Sequence, residues 1–394
     1  MPVSVLPLLI CLTLSLAVSC FAQGDKPDET AIFARSVVSE GNTARLQAAL
    51  AKARRGEPVV VSVIGGSITG GAMASNADHI YGNLIAKWWR DTFPKTKVDF
   101  VNAGIGATGS LIGAHRAQLD LLSHKPDLVV CEFAVNDPND QTNAEGLEGL
   151  IRQILKQPNK PAVMLLFTMN NAGGNAEEWQ TKLGKHYGLP MVSYRDALWP
   201  EIQAKRMKWE DVGADMVHPN DRGHKYCADF VTAVIAKVLG AMPAADADLP
   251  PIPPTPAPLI SDLYEHATAL NAERITPTKN DGFDPSTQWP FGKCWESTKP
   301  GSVLEFEVEG TAIALSFWRI KKDMGKAEAQ VDNLPPVTMD AWFDQTWGGY
   351  DTWQPVARDL APGKHILRIR VLDEKDAGST GNRFQLCAIF EAGL

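Results

Sequence analysis

Ser67, Asp215 and His218 are the side-chain types that nucleophilic acyl transfer requires: a hydroxyl to attack, an imidazole to take its proton and a carboxylate to orient the imidazole. Ser67 stands in Gly65-Gly66-Ser67-Ile68-Thr69-Gly70-Gly71, directly after an apolar run of strand length that begins at Val59. Glycines permit a sharp turn that lifts the central side chain clear of a strand end. Asp215 and His218 share one short stretch, Asp215-Met216-Val217-His218-Pro219, so a single loop offers both acid and base. The glycine turn also fits a plain strand-to-helix connection, where serine is common. A phosphate-binding loop fits poorly, because the stretch has neither Gly-x-Gly-x-x-Gly nor the Lys-Ser/Thr ending of a P-loop.

Two more segments carry suitable chemistry. The stretch 102–110, NAGIGATGS, follows the second strand-like run, and Phe133-Ala134-Val135-Asn136-Asp137 closes the third. Asn136 has a neutral amide able to donate to a developing oxyanion, although an Asn-Asp pair also suits an ordinary turn. All these segments follow strands or precede a helix, where the carboxyl edge of a parallel sheet gathers its functional loops.

Taken in order, the blocks around Ser67, 102–110, Asn136 and Asp215/His218 resemble the SGNH (GDSL-type) hydrolase family over about residues 57 to 240. The resemblance implies Ser67 as nucleophile, with its N–H also facing the oxyanion. It implies His218 as general base, Asp215 as the group that fixes the imidazole tautomer, and Asn136 as an oxyanion donor. In the second block an ungapped match puts Ala107 where the family's oxyanion glycine usually stands, with Gly106 just before it. The second backbone donor is therefore Gly106 or Ala107. Gly66 replaces the aspartate of the usual Gly-Asp-Ser-Leu, and Ala134 replaces a glycine of the third block. His224 reads as a structural residue of the following helix, and His79 and His115 carry no motif. The mechanism needs no metal or other cofactor, and the Asp and His residues form no recognisable ligand set.

The elements that must position these residues alternate. Strand-like runs cover 59–64, 97–102, 127–134, 162–168 and 190–194. Helical patterns cover 81–93, 110–123, 144–157, 176–187 and 221–239. Continuous Val/Ile/Leu/Phe runs suit a parallel sheet covered on both faces. The expected fold is a three-layer α/β/α domain over 30–242. Residues 243–258 are proline-rich and form a semi-rigid spacer or surface strap. Beyond them the period changes: Leu304, Phe306 and Val308 alternate with glutamates, and Leu367, Ile369 and Val371 alternate with arginines. Short alternating strands with polar turns predict an antiparallel, jelly-roll-like β-sandwich over 259–394.

Composition sets outer limits. The chain has 394 residues, 44% of them hydrophobic, which suits two folded domains. A formal net charge of −8 argues against a nucleic-acid partner. Residues 1–22 are almost wholly apolar up to Val18 and end in small residues, as a cleaved secretory signal does, although no Lys or Arg precedes the apolar core. The expected location is secreted or periplasmic, with lipid modification at Cys20 as the second option. No other stretch is long and apolar enough to cross a bilayer. Cys131 and Cys227 read as buried thiols. Cys294 and Cys387 either do the same or pair with each other.

Six of the eleven tryptophans lie beyond residue 258. Trp347, Tyr350 and Trp353 cluster in WGGYDTW, where they either bind the apolar faces of sugar rings or fill the sandwich core. The whole chain is similar to secreted bacterial carbohydrate esterases with an appended β-sandwich. That resemblance implies an acylated carbohydrate as partner and acetyl as the group removed. A lipase or thioesterase, and a catalytically silent glycan-binding protein, are the alternatives.

Overall fold

The computed structural model describes residues 26–244 and 246–394. The expected signal and Cys20 lie outside the described residues. The N-terminal part runs α1 (Glu29–Ser36), β1 (Val37–Ser39), α2 (Ala44–Arg54), β2 (Val59–Gly65), α3 (Ser67–Gly70), α4 (Tyr81–Thr92), β3 (Val98–Gly104) and α5 (Ser110–Asp120). It continues through β4 (Leu128–Glu132), α6 (Gln141–Leu155), β5 (Ala162–Phe167), α7 (Glu177–His186), β6 (Met191–Ser193), α8 (Tyr194–Gln203) and α9 (Asp221–Ala241).

The first sheet has strand order β1-β6-β5-β4-β2-β3. Its strands pair in parallel except β1, which lies antiparallel on β6. That edge strand is only Val37-Val38-Ser39, too short for a period to announce it. Both faces are buried, as the unbroken apolar runs require: Val61, Val63 and Val130 pack on one side with α4 and α9, and Ile64, Val129 and Cys131 on the other with α5 and α6. The helices after β4 and after the Asp215/His218 loop start at side-chain caps. The Asp140 side chain accepts from Asn143 N–H at α6, and the Asn220 side chain accepts from Gly223 N–H at α9.

The connector lies along the surface as a strap. Arg54 donates to the carbonyls of Pro243 and Ala244, and Arg152 to that of Pro256. Where it ends, the buried Glu148 carboxylate accepts the N–H groups of Leu259, Ile260 and Ser261 at 2.5, 2.8 and 2.9 Å.

The C-terminal part is all β: β7 (Thr268–Leu270), β8 (Lys279–Asp281), β9 (Asp284–Gln288), β10 (Gly292–Ser297), β11 (Val303–Glu309), β12 (Ala312–Arg319), β13 (Lys326–Val331), β14 (Val337–Asp340), β15 (Tyr350–Ala357), β16 (Lys364–Val371) and β17 (Phe384–Ala392). One antiparallel sheet is ordered β15-β12-β17-β10-β9 with β7 also on β17, and the other β14-β13-β16-β11-β8. Leu304, Phe306, Leu367, Ile369, Leu315 and Phe384 fill the space between them. Much of the outer face of the β15-β12-β17-β10-β9 sheet is covered by the N-terminal domain. Ala314, Ala388, Phe390 and Trp353 pack onto the N-terminal domain, and the His115 ring of α5 stacks on Phe390 at 4.4 Å. Arg358 crosses the same boundary in a two-pronged ion pair with Glu145, at 2.8 and 2.9 Å. Cys131, Cys227, Cys294 and Cys387 are all buried free thiols, so the pairing left open for the last two is not made.

Candidate active site

β2 ends at Gly65, and Ser67 opens the one-turn helix α3. The turn is tight: a Cβ on Gly65 would overlap the Thr69 hydroxyl and the Glu132 carbonyl. Gly66, which replaces the usual aspartate, has a steric reason of its own. A Cβ there would lie 2.7 Å from Cγ of Asn136 and overlap its amide oxygen.

Ser67, His218 and Asp215 come together. Ser67 Oγ is 2.8 Å from His218 Nε2, and His218 Nδ1 is 2.7 Å from Asp215 Oδ2. The second carboxylate oxygen, Asp215 Oδ1, accepts the N–H groups of Val217 and His218 at 2.8 Å each. Burial pushes the Asp215 carboxyl up, but these three donors outweigh it and hold the group below the usual carboxylate range. Asp215 is therefore an anion at neutral pH, and it fixes a proton on Nδ1, leaving Nε2 free to accept from the serine. The loop itself is braced. Trp209 Nε1 donates to the Asp215 carbonyl at 2.6 Å, Ala214 N–H to that of His218, and Asn171 N–H to that of Met216.

The loop after β3 passes over the serine: a Cβ on Gly106 would lie 3.9 Å from Ser67 Cβ. Ala107 adopts φ +58°, a left-handed conformation that costs a residue other than glycine about 1–2 kcal/mol. Strain of this kind is retained where the surroundings over-determine the backbone, as here beside the serine. Asp137 does part of that work. Its Oδ1 accepts Ser110 N–H at the start of α5 and its Oδ2 accepts from Gln180. Burial nevertheless pushes its carboxyl up to about 7. Asn136 Oδ1 is buried with no hydrogen-bond partner among the described residues.

A cavity of about 200 Å³ adjoins Ala107, Gly109 and Asn136. Its far wall is Asp351, Thr352 and Trp353 of β15, so the β-sandwich domain forms one side of it. Trp353 thus stands apart from Trp347 and Tyr350. Those two form an outward cluster with Phe343, ring centroids 4.8–5.4 Å apart, and Trp347 is 60% exposed. Trp295, by contrast, fills the sandwich core.

The remaining histidines fall outside the relay. His224 Nε2 pairs with the Ala72 carbonyl and its ring stacks on Tyr81, and His79 bridges Ser75 and Asp221. Among the described residues no cluster of His, Cys, Asp and Glu could hold a metal ion, and no helix is long and apolar enough to span a membrane. The braces Trp209, Asp137 and Gln180 and the wall residues Asp351 and Thr352 were not legible as site residues, since each acts through a tertiary contact without a local motif; of the three aromatic candidates in WGGYDTW, Trp353 lies on this wall.

Residues 63–226 match the GDSL-like lipase/acylhydrolase family. Across nearly the full chain the structure is similar to a two-domain esterase (CEX) active on acetylated mannans, with 30% identity, 92% of this chain and 98% of that one covered, and a TM-score of 0.85. The same esterase co-crystallised with mannopentaose gives a TM-score of 0.84 at the same identity and coverage. A search of the curated proteins found no match.

Proposed function

This chain belongs to the GDSL-like lipase/acylhydrolase family and is a carboxylic ester hydrolase, and we propose that it is a secreted serine esterase that removes acetyl groups from a mannan-type polysaccharide. The observation that carries the serine mechanism is the unbroken line from Ser67 Oγ through His218 to Asp215, at 2.8 and 2.7 Å. His218 Nε2 takes the hydroxyl proton as Ser67 Oγ attacks the ester carbonyl. The resulting oxyanion is met by Ser67 N–H, the Asn136 amide and an N–H of the loop carrying Gly106 and Ala107. His218 then returns the proton to the sugar oxygen as its bond to the acyl carbon breaks, so that the sugar leaves as a free hydroxyl and an acyl-serine remains. Water, deprotonated by the same imidazole, attacks the acyl group and releases acetate and free Ser67.

The substrate class rests on two supports: the likeness to an acetyl-mannan esterase runs through both domains, and Thr352 and Trp353 wall the cavity beside Asn136. The outward Trp347 and Tyr350 cluster offers flat faces for further sugar rings. Secretion rests on the apolar leader alone. The test is acetate release from acetylated mannan, acetylated xylan and p-nitrophenyl acetate. Ser67→Ala should lower kcat about 10³-fold or more on each while the protein stays folded. A folded Ser67→Ala enzyme with normal turnover sinks the mechanism. Turnover of the small ester without acetate from any polysaccharide sinks the substrate class.

A further inference from the structure

Behind the serine turn lies a buried line of hydroxyl and carboxyl groups that the ester chemistry does not use. Thr69, two residues after Ser67 and fully buried, has its Oγ1 2.8 Å from the Tyr81 hydroxyl and donates to Glu132 Oε2 at 3.2 Å. Glu132 Oε1 accepts the Thr168 hydroxyl at 2.5 Å. Glu132 ends β4 with no exposure to solvent, and no basic side chain pairs with it among the described residues. Burial pushes its carboxyl up to about 7, against the two hydroxyl donors. An unpaired acid in an apolar core is unfavourable, and a hydrophobic residue of similar size would fill the space without that cost.

What the acid holds is the serine turn. α3 is a single turn, and its first residue is preceded by Gly66, which supplies no side-chain cap. A turn this short has little stability of its own. Thr69 is its anchor: its hydroxyl fills the notch left by Gly65, and its carbonyl accepts from Asn102 Nδ2 at 2.8 Å. The line Tyr81, Thr69, Glu132, Thr168 therefore ties the turn to α4, to the end of β4 and to the segment after β5.

We propose that Glu132 is a positioning residue which, acting through Thr69, holds Ser67 at the separation from His218 that proton transfer requires. The inference rests on Ser67 as the nucleophile. Glu132 accepts from both hydroxyls, and glutamine can keep both contacts: its amide oxygen accepts from Thr168, and its amide N–H donates to Thr69, whose hydroxyl then turns to donate to Tyr81. Alanine can reproduce neither.

The experiment compares Glu132→Ala, Glu132→Gln, Thr69→Val, Thr69→Ser and Ser67→Ala in the full-length protein. The readouts are kcat and KM on p-nitrophenyl acetate, the rate of labelling by a fluorophosphonate, and the melting temperature. A displacement of about 1 Å at the nucleophile costs about 10²-fold in rate, so Glu132→Ala and Thr69→Val should each lose about 10–100-fold in kcat and in labelling rate with KM little changed. Glu132→Gln and Thr69→Ser should stay within a few-fold of wild type. If Ser67→Ala keeps turnover, the nucleophile assignment fails, and this proposal with it. If Ser67→Ala is inactive but folded Glu132→Ala or Thr69→Val keeps wild-type kcat, only the positioning role is overturned. Should Glu132→Ala not fold, Thr69→Val, nearly isosteric with the native residue, decides by the same criterion.

Discussion

Gly66→Ala should switch off catalysis without unfolding the protein. Gly66 has φ −87° and ψ −148°, so the substitution demands no left-handed backbone of alanine. Its methyl group would lie 2.7 Å from Cγ and 3.2 Å from Nδ2 of Asn136. Carbon atoms pack at about 3.5–4.0 Å, so the amide must retreat by about 1 Å. The obstacle is a side chain free to rotate, and the lost glycine entropy of the unfolded state offsets part of the clash. Stability should therefore stay within about 1 kcal/mol of wild type. The amide, however, would leave the place from which it is proposed to meet the oxyanion. Removing one such donor lowers kcat about 10²–10³-fold, or about 2.7–4 kcal/mol of transition-state stabilisation. Initial rates on p-nitrophenyl acetate, normalised by active-site titration and paired with thermal melts, measure both quantities. Asn136→Ala should lose as much. The double variant Gly66→Ala/Asn136→Ala should lie within a few-fold of Asn136→Ala, because both changes remove the same donor. Losses that multiply in the double variant, or a folded Gly66→Ala enzyme with near-normal kcat, would refute the reasoning.

Two further outcomes test other parts of the molecule. Arg206 and Arg35 clamp the buried Glu201 and pull its carboxyl down to about 2 from an ordinary 4.5, so its contribution to stability is complete above pH 4.5 and fades as pH falls toward 2. Glu201→Gln should melt lower at pH 7 yet lose less than wild type between pH 4.5 and 2, as read by thermal melts across that range; equal slopes would count against the clamp. Trp347→Ala should raise KM for acetylated polysaccharide about 3–10-fold and leave p-nitrophenyl acetate unaffected, whereas Trp353→Ala, on the cavity wall, should change kcat/KM on both. Equal effects of the two substitutions on both substrates would remove the distinction between platform and wall.

How much of this was legible in the sequence follows from the range over which each feature acts. The α/β order was readable because buried parallel strands are nearly pure apolar runs, as in Val59 to Ile64 and Leu128 to Val130. The pairing of Ser67 with Asp215 and His218 was readable because each half is a local motif and the sheet edge leaves few places for them to meet. β1 was not, since three residues carry no period. Nor was the steric reason for Gly66, which depends on an Asn136 side chain that arrives through the folding of β4. Glu132 belongs to no motif, and only the structure places Thr69 and Thr168 on its two oxygens. Trp347, Tyr350 and Trp353 lie within seven residues, yet Tyr350 and Trp353 stand three apart on β15 and so face opposite sides of it, with Trp347 on the Tyr350 side.

The face shared by the two domains has a consequence for how such a chain can be rearranged. Phe390, Ala388, Ala314 and Trp353 are covered by Leu111 and His115 of α5, while Glu148 grips the chain just where it enters the β-sandwich. Cutting at residue 258 would therefore bare a greasy surface on both fragments and strip Glu148 of three donors. Neither half is a portable cassette. The β-sandwich cannot be exchanged for another as a tethered binding module can, because the catalytic half has grown its own side of the joint. Changes to one surface must be matched on the other, so the two halves are bound to diversify together.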